Sequence, residues 1–260
     1  MRVNRRDFLR YACLIVPAGV VPLSRRLIGA TAESSAKQKY SLEGHKYAFI
    51  VDSTRCIGCG ECVRSCNMEN KVPEGFVRTW VERYTTTKSG KVIVDSTYDV
   101  WRQRKKAERF NFEELKSVPA ADISKAFFLP KLCNHCANPP CVPVCPVGAT
   151  YQSPEGVVLT DPNYCFGCGY CIQACPYGVR FKNPITHTAD KCTWCYHRIV
   201  KGLLPACVEI CPTGARQFGD AAIAGSPIAQ VLESAKLHVL RKDFGTNPKV
   251  YYIELNPEVR

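Results

Sequence analysis

The stretch at residues 165–176 reads CFGCGYCIQACP, which places Cys165, Cys168, Cys171 and Cys175 in a C-x2-C-x2-C-x3-C-P pattern. A tight loop with three thiolates two residues apart can bind three corners of an iron–sulfur cubane. The fourth cysteine begins the next short helix and points away from that cubane, so it can bind a neighbouring cluster. The spacing therefore predicts paired [4Fe–4S] sites.

Sixteen of the seventeen cysteines fall into four groups of this kind. The four groups are Cys56-x2-Cys59-x2-Cys62-x3-Cys66, Cys133-x2-Cys136-x4-Cys141-x3-Cys145, Cys165-x2-Cys168-x2-Cys171-x3-Cys175, and Cys192-x2-Cys195-x11-Cys207-x3-Cys211. We number them one to four and expect four [4Fe–4S] clusters. The remaining cysteine, Cys13, lies in an apolar N-terminal segment and is interpreted as a small hydrophobe.

Disulfides and zinc are the other common uses of clustered cysteines. A disulfide scaffold is usually short, whereas 260 residues are enough for an apolar core without cross-links. Triplets of cysteines two residues apart are also a poor frame for separate disulfides. Zinc could fit group four alone, but zinc sites usually use two cysteine pairs rather than triplets. The pattern therefore favours iron–sulfur clusters over both.

The residues between groups two and three predict a β-hairpin. Residues 149–152 and 157–160 are strand-like and flank a turn at 153–156. Such a strand pair joins the halves of a bacterial ferredoxin, so each group is interpreted as half a ferredoxin. The predicted fold class is α+β, with two bacterial-ferredoxin-like 2[4Fe–4S] units, one inserted in the other, and loop-rich insertions.

The predicted organisation has five parts. They are a signal peptide at 1–32, a first ferredoxin-like unit at 45–66 plus 186–219, an insertion at 67–126, a second ferredoxin-like unit at 127–185, and a C-terminal docking extension at 220–260. Other expected elements are strands at 47–51, 77–84, 92–94, 214–218 and 250–255, a short helix at 110–116, and a helix from Pro227 whose apolar face holds Ile228, Val231, Leu232, Ala235 and Val239.

Cross-ligation between paired groups gives explicit ligand sets. The first cluster takes Cys56, Cys59, Cys62 and Cys211, and the second takes Cys66, Cys192, Cys195 and Cys207. The third takes Cys133, Cys136, Cys141 and Cys175, and the fourth takes Cys145, Cys165, Cys168 and Cys171. The alternative closes each cluster within its own group, and it is strongest for group four because of its x11 gap.

The N-terminus has the layout of an export signal. Arg5 and Arg6 precede a modestly apolar stretch at 11–21, and the small-residue pattern ATA follows at 30–32. Paired arginines predict the twin-arginine route, which carries folded proteins and suits a chain that receives its clusters in the cytoplasm. We expect a mature protein from about Glu33, periplasmic, on the outer face of the cytoplasmic membrane. The alternative is a basic helix lying on a membrane, since the apolar stretch is too short to span one.

The formal net charge of +12 could indicate a nucleic-acid partner. The signal segment holds six arginines and one aspartate, so +7 remains in the rest of the chain. Four clusters with their thiolates would add about −2 each, which brings the loaded protein near neutrality and argues against nucleic acid. Basic side chains near the groups are interpreted as offsetting cluster charge and raising reduction potentials, with a solvated surface charge as the alternative for each: Arg55, Arg64, Lys131, Arg180, Lys191 and Arg198.

Residues 45–220 resemble the four-cluster iron–sulfur subunit of complex iron–sulfur molybdoenzymes. Four stretches are most similar to the B-subunit type of tetrathionate reductase: LCNHC at 132–136, NPPCVPVCP at 138–146, CPY at 175–177 and LLPAC at 203–207. Some members of this family have tryptophan in place of one cysteine of group three and hold a three-iron cluster. Here Cys168 is present, so four cubanes are expected. The insertion around 99–126 is longer than in the tetrathionate reductase type, which leaves the substrate and the partner open.

The resemblance implies a subunit with no substrate site of its own. It would carry single electrons between a periplasmic catalytic subunit of molybdopterin type and an integral membrane quinone-reactive subunit, and be peripheral to the membrane through that partner. The first unit would lie nearer the catalytic subunit and the second nearer the membrane. The alternatives are the same role in a periplasmic hydrogenase or a sulfite-reduction-associated complex, a soluble polyferredoxin shuttle, and a non-redox binding module stiffened by clusters.

Overall fold

The computed structural model describes residues 40–96 and 118–259 of the chain. Its strands are β1 (Tyr47–Asp52), β2 (Thr79–Thr87), β3 (Val92–Ser96), β4 (Ile123–Leu132), β5 (Thr150–Gln152), β6 (Val158–Thr160), β7 (Phe181–Lys182), β8 (Ala189–Asp190), β9 (Arg216–Asp220), β10 (Leu237–His238) and β11 (Val250–Ile253). Its α-helices are α1 (Glu61–Glu69), α2 (Tyr170–Gln173), α3 (Tyr196–Ile199), α4 (Ala206–Glu209) and α5 (Pro227–Ser234). The signal segment and the helix predicted at 110–116 lie outside the described residues.

Strand β1 is the centre of the larger sheet. Its apolar run is uninterrupted because both of its faces are buried, with Phe49 in the main core and Ile50 against α5. The sheet has the order β10-β11-β1-β9, with β11 parallel and β9 antiparallel to β1. The β1–β9 pair brings the residues that precede group one beside those that follow group four. It also confirms the strand predicted at 47–51 and most of that predicted at 214–218.

Helix α5 covers the outer face of this sheet at close range. A Cβ atom on Gly219 of β9 would lie 2.7 Å from Cγ1 of Ile228, so only glycine allows this approach. The hydroxyl of Ser226 caps the helix by accepting from the Ala229 N–H. The predicted helix reached Val239, but the observed helix ends at Ser234. That part of the prediction is wrong because residues after the helix form β10 and pair with β11.

The second sheet has the order β3-β2-β4 and is antiparallel. Strands β2 and β3 were predicted from sequence, but β4 was not, although at ten residues it is longer than either. Pro130 interrupts its strand-like pattern, and the edge position of β4 tolerates a residue that lacks an N–H. The strand crosses the predicted boundary between residues 126 and 127. The region predicted as a loop-rich insertion therefore contributes a regular sheet.

Smaller hairpins complete the fold. β5 pairs with β6 in antiparallel fashion, which confirms the hairpin predicted between groups two and three. β7 pairs with β8 in the segment between groups three and four. The described part of the chain is thus a mixed α and β structure with short helices, as predicted. Within residues 40–96 and 118–259, no helix has the length and apolar character needed to cross a bilayer.

One apolar cluster joins the two sheets to the cysteine groups. Val51 and Tyr252 enter it from the first sheet, and Val81 and Leu129 enter it from the second. The cluster also contains cysteines of groups one, two and four: Cys62, Cys133, Cys192 and Cys207. These four cysteines therefore lie inside the packed core.

Replacing Ile50 by alanine tests the role of β1. Ile50 is fully buried against α5, on the face away from the cysteines, so Ile50→Ala is expected to cost about 2–5 kcal/mol of stability. The loss should appear as unfolding at lower urea concentration, followed by circular dichroism of the loaded protein. Ile223→Ala is the matched control because Ile223 is 60% exposed, and its effect should stay within about 0.5 kcal/mol. Equal shifts in the two variants would contradict the packing role of β1.

Candidate iron–sulfur cluster sites

The first cavity is lined by Cys56, Cys59, Cys62 and Cys211, the set predicted for the first cluster. Three of these cysteines come from the loop before α1 and the start of that helix, and the fourth follows α4. The loop turns through Gly58 and Gly60, both at a φ of 72°. A Cβ atom on Gly58 would lie 2.5 Å from the ring of Phe128, so the loop packs directly on β4.

The second cavity is lined by Cys66, Cys192, Cys195 and Cys207, the set predicted for the second cluster. Cys66 lies four residues after Cys62 on α1, and Cys207 lies on α4. The two helices touch: the hydroxyl of Ser65 donates to the carbonyl of Ala206 at 3.3 Å. All four cysteines of this set are buried.

The third cavity is lined by Cys133, Cys136, Cys141 and Cys175, the set predicted for the third cluster. Cys133 directly follows β4, so the second sheet positions this set. His135, between Cys133 and Cys136, links it to the second set: its Nε2–H donates to the carbonyl of Cys192 at 3.0 Å, while its Nδ1 accepts from the Val158 N–H at 3.1 Å. His135 is completely buried, which fits a structural role.

The fourth set lies around the β5–β6 hairpin. Cys165 and Cys171 pack in one small apolar cluster with Val158 of β6. Cys145 accepts a hydrogen bond from the backbone N–H of Thr150 on β5 at 3.4 Å. Cys168 is exposed.

Exposure of the cysteines changes along the series of sets. The second set is wholly buried, and three of the four thiols in the third set are buried. The first set is half-buried except for Cys62, and the fourth set is half-buried or exposed except for Cys171. The series therefore approaches the surface at its two ends and is enclosed in its middle.

Polar hydrogens surround the sulfur atoms. Backbone N–H groups donate to Sγ of Cys165 from Ala189 at 3.3 Å and to Sγ of Cys192 from Trp194 at 3.3 Å. The side-chain amide of Asn70 reaches Sγ of Cys195 at 3.5 Å and Sγ of Cys66 at 3.6 Å. Such donors stabilise thiolates and metal-bound sulfur.

Arg78 fixes the orientation of the Asn70 amide. Its Nη1 donates to Oδ1 of Asn70 at 3.1 Å, which leaves the NH2 group to face the sulfur atoms. Arg78 also pairs with Asp190 at 2.8 Å. Neither Asn70 nor Arg78 was predicted from sequence, because neither lies within a cysteine group.

Burial alone favours the neutral, protonated form of the enclosed thiols. It raises the pKa of the Cys56 and Cys136 thiols to about 11 and that of Cys207 to about 12. The pKa of Cys211 is instead lowered, because backbone N–H donors, first among them that of Arg216, outweigh the burial. Buried thiols become ligands when a metal centre displaces their protons, so this donor set fits a group that carries positive metal ions.

Buried polar atoms without a partner lie at each of the three cavities. Nε and Nη1 of Arg216 have no hydrogen-bond partner among the described residues, and Arg216 lines the first cavity. The same holds for Nε1 of Trp194 at the second cavity and for Nδ2 of Asn134 at the third. Buried donors are normally satisfied, and the sulfide and thiolate atoms of a cluster are acceptors. The residues present therefore fit [4Fe–4S] clusters.

Three basic side chains are buried beside the thiols: Arg180, Lys191 and Arg216. Burial alone would lower the pKa of Arg216, but the thiols of Cys62 and Cys207 outweigh it and raise the pKa. The pKa of Arg180 is likewise raised by Cys141 and Cys133 against the effect of burial. Burial lowers the pKa of Lys191, with Cys133 opposing. Arg216 was not singled out from sequence, because its role depends on its burial, which the sequence does not show.

The other basic residues singled out from sequence have ordinary surroundings. Arg64 pairs with Glu61, Lys131 with Glu82, and Arg198 with Glu69 and Glu209. Arg55 is exposed. Each of the three paired residues thus has a carboxylate as a direct counter-charge.

Comparison with known families agrees with this chemistry. Two profiles, each described as a 4Fe-4S dicluster domain, match residues 55–149 and 124–221. Two dicluster domains and sixteen grouped cysteines support four [4Fe–4S] clusters.

Curated relatives match along most of the protein. The B subunit of tetrathionate reductase from Salmonella typhimurium is 41% identical over 259 residues, covering 98% of this chain and 90% of the relative. Protein NrfC of Escherichia coli is 37% identical over 97% of this chain and 96% of its own length. The B subunit of polysulfide reductase from Wolinella succinogenes is 35% identical over 80% of this chain and 94% of its own length. The protein thus belongs to the family of iron–sulfur electron-transfer subunits that includes the B subunits of tetrathionate reductase and polysulfide reductase.

Proposed function

We propose that this protein relays single electrons through four [4Fe–4S] clusters between a catalytic subunit of molybdopterin type and a quinone-reactive membrane subunit. The observation that carries the proposal is the exposure of the four cysteine sets, which are enclosed in the middle of the series and accessible at both ends. A relay needs that arrangement, because electrons enter at one end and leave at the other while the middle is shielded. When bound, the clusters supply the one-electron chemistry.

The protein's own residues hold and tune the relay. The ligand sets we propose are the cross-ligated ones of the sequence analysis, and three of them each line one cavity. Backbone and side-chain N–H donors orient the sulfur atoms, and the packed core excludes water from the second set.

Apolar side chains lie on the surface at both ends of the series. Near the fourth set these are Tyr164, Phe166, Tyr170 and Ile185, each more than half exposed. Near the first set Ile57 is 54% exposed. An exposed apolar cluster such as the one near the fourth set is typical of protein interfaces. We assign the fourth-set end to the membrane subunit and the first-set end to the catalytic subunit, as in the family that the sequence resembles.

The proposed location is the periplasmic face of the cytoplasmic membrane. Arg5 and Arg6 before an apolar stretch support export by the twin-arginine route. Sixteen cluster ligands support it too, since cubanes are loaded before a folded protein is exported.

Paired alanine variants separate cross-ligation from closure within one group. If Cys62 and Cys211 share a cluster, Cys62→Ala/Cys211→Ala loses the iron of one cluster, about four atoms per chain. Cys207→Ala/Cys211→Ala then damages two clusters and loses about eight. Iron and sulfide analysis of the purified protein gives both numbers. Closure within each group predicts the reverse, about eight for the first pair and about four for the second, and that outcome would sink the proposed ligand sets.

Recovery of the native protein from membranes tests the partners. After mild-detergent extraction and capture, mass analysis is expected to find a large molybdopterin subunit and a multi-span membrane protein. Phe166→Arg should weaken retention of the membrane protein at least about tenfold, because it places a charge in the exposed apolar cluster beside Cys168. Ile223→Arg, at a site 60% exposed on the surface elsewhere, is the control.

The same recovery distinguishes the alternatives. A hydrogenase or a cytochrome in place of the molybdopterin subunit would keep the relay but assign it to another pathway. Recovery of the protein without partners, with clusters that still cycle reversibly under a graded reductant, would favour a soluble shuttle. Clusters that do not cycle would leave only a binding module.

Export is tested in the precursor. Arg5→Lys/Arg6→Lys is expected to keep the protein in the cytoplasm with its iron bound, because the twin-arginine route reads the arginine pair. Arg25→Lys/Arg26→Lys, near the end of the same segment, should still be exported. Cell fractionation followed by iron analysis reports both results. Equal export of the two variants would refute the twin-arginine assignment.

A further inference from the structure

Each of the three buried basic side chains lies between two cysteine sets, and it reaches each set directly or through one residue that borders it. The sets form a series from first to fourth, so there are three junctions between neighbours. The contacts place Arg216 at the first junction, Lys191 at the second and Arg180 at the third. All three are between 1% and 5% exposed, so water screens their charges little.

Arg216 joins the first set to the second. Its side chain lines the first cavity together with Cys62 and Cys211. Its Nη2 donates to the hydroxyl of Thr79 at 2.8 Å, and Thr79 lines the second cavity. Its Nε and Nη1 have no other partner among the described residues.

Lys191 joins the second set to the third. Its Nζ donates to the carbonyl of Cys192, a member of the second set, at 2.8 Å. It also donates to the carbonyl of Val158, which lines the third cavity. Sequence position alone, directly before Cys192, would have assigned Lys191 to the second set only.

Arg180 joins the third set to the fourth. Its Nη2 donates to Sγ of Cys141 in the third set at 3.2 Å. Its Nη1 donates to the hydroxyl of Thr150 at 3.4 Å, and the backbone N–H of Thr150 donates to Sγ of Cys145 in the fourth set.

We propose that Arg216, Lys191 and Arg180 are junction cations, each of which stabilises the added electron on both clusters that flank it. A fixed positive charge between two redox centres favours the reduced state of each. An electron that moves from one centre to the next then keeps the same counter-charge, so the junction cation favours neither side of that step. The inference rests on the proposed ligand sets, and it refines the relay by naming the residue that lies at each of its three steps.

Potentiometric titration of the purified, loaded full-length protein, followed by electron paramagnetic resonance, tests the proposal. Replacing one junction cation by glutamine should lower two of the four midpoint potentials. We expect the equilibrium constant for reduction of each of these two clusters to fall about tenfold, which for one electron corresponds to about 59 mV. The pattern of overlap is the decisive result. Arg216→Gln and Lys191→Gln should share one shifted potential, Lys191→Gln and Arg180→Gln should share another, and Arg216→Gln and Arg180→Gln should share none.

Charge-conserving variants and a remote cation control for structural damage. Arg216→Lys and Arg180→Lys keep the charge and should leave the potentials within about a third of those shifts. Arg198→Gln, beside group four but paired with Glu69 and Glu209, should move none. If Arg216→Gln fails to bind iron, Lys191→Gln and Arg180→Gln decide the matter by sharing one shifted potential or not.

Three results would overturn the junction cations: one potential moved per variant, all four moved together, or lysine variants that shift as far as glutamine variants. Because the titration uses the protein without partners, these results differ from a failure of the relay. The relay would fail if the unmodified protein did not show reversible reduction of its clusters.

Discussion

The constraint on which the rest of the structure depends is the negative charge of sulfur ligands inside an apolar core. Burial by itself raises the pKa of thiols such as Cys56 and Cys207, so the fold must supply compensation wherever a ligand is enclosed. It does so with backbone N–H groups at Cys165 and Cys192, with the Asn70 amide, and with buried cations. One of these cations, Arg216, projects from β9 of the first sheet, and the N–H group at Cys165 comes from Ala189 of β8.

The two sheets and the cysteine groups form one structural unit in the described residues. The chain passes from β1 through group one, crosses to the β2–β4 sheet, and only then reaches group two. It returns to the first sheet at β9, after group four, so distant segments meet at each cavity. The His135 contact with Cys192 and the Lys191 contact with Val158 tie the enclosed sets together. The region predicted as an insertion therefore forms part of the core, since Val81 of β2 packs inside it.

The cysteine chemistry was predictable because ligand spacing is a local property of the sequence. Strand β1 was predictable from its uninterrupted apolar run, and the β5–β6 hairpin was predictable from the turn at 153–156 between two strand-like stretches. Strand β4 was not predicted because Pro130 interrupts its strand-like pattern. Helix α5 was predicted too long because residues after Ser234 pair as β10 with β11, although their apolar spacing is helical. The roles of three residues could not be predicted from sequence, because each depends on burial or on a neighbour more than 100 residues away: Asn70, Arg78 and Arg216.

The parallel pairing of β1 with β11 has a consequence for the order of events during synthesis. Phe49 and Val250 are register partners, so one edge of the central strand stays open until β11 has left the ribosome. Contacts this distant in sequence form late, because closing so long a loop costs entropy before any pairing is gained. During that interval β1 exposes an apolar edge that another chain could pair with.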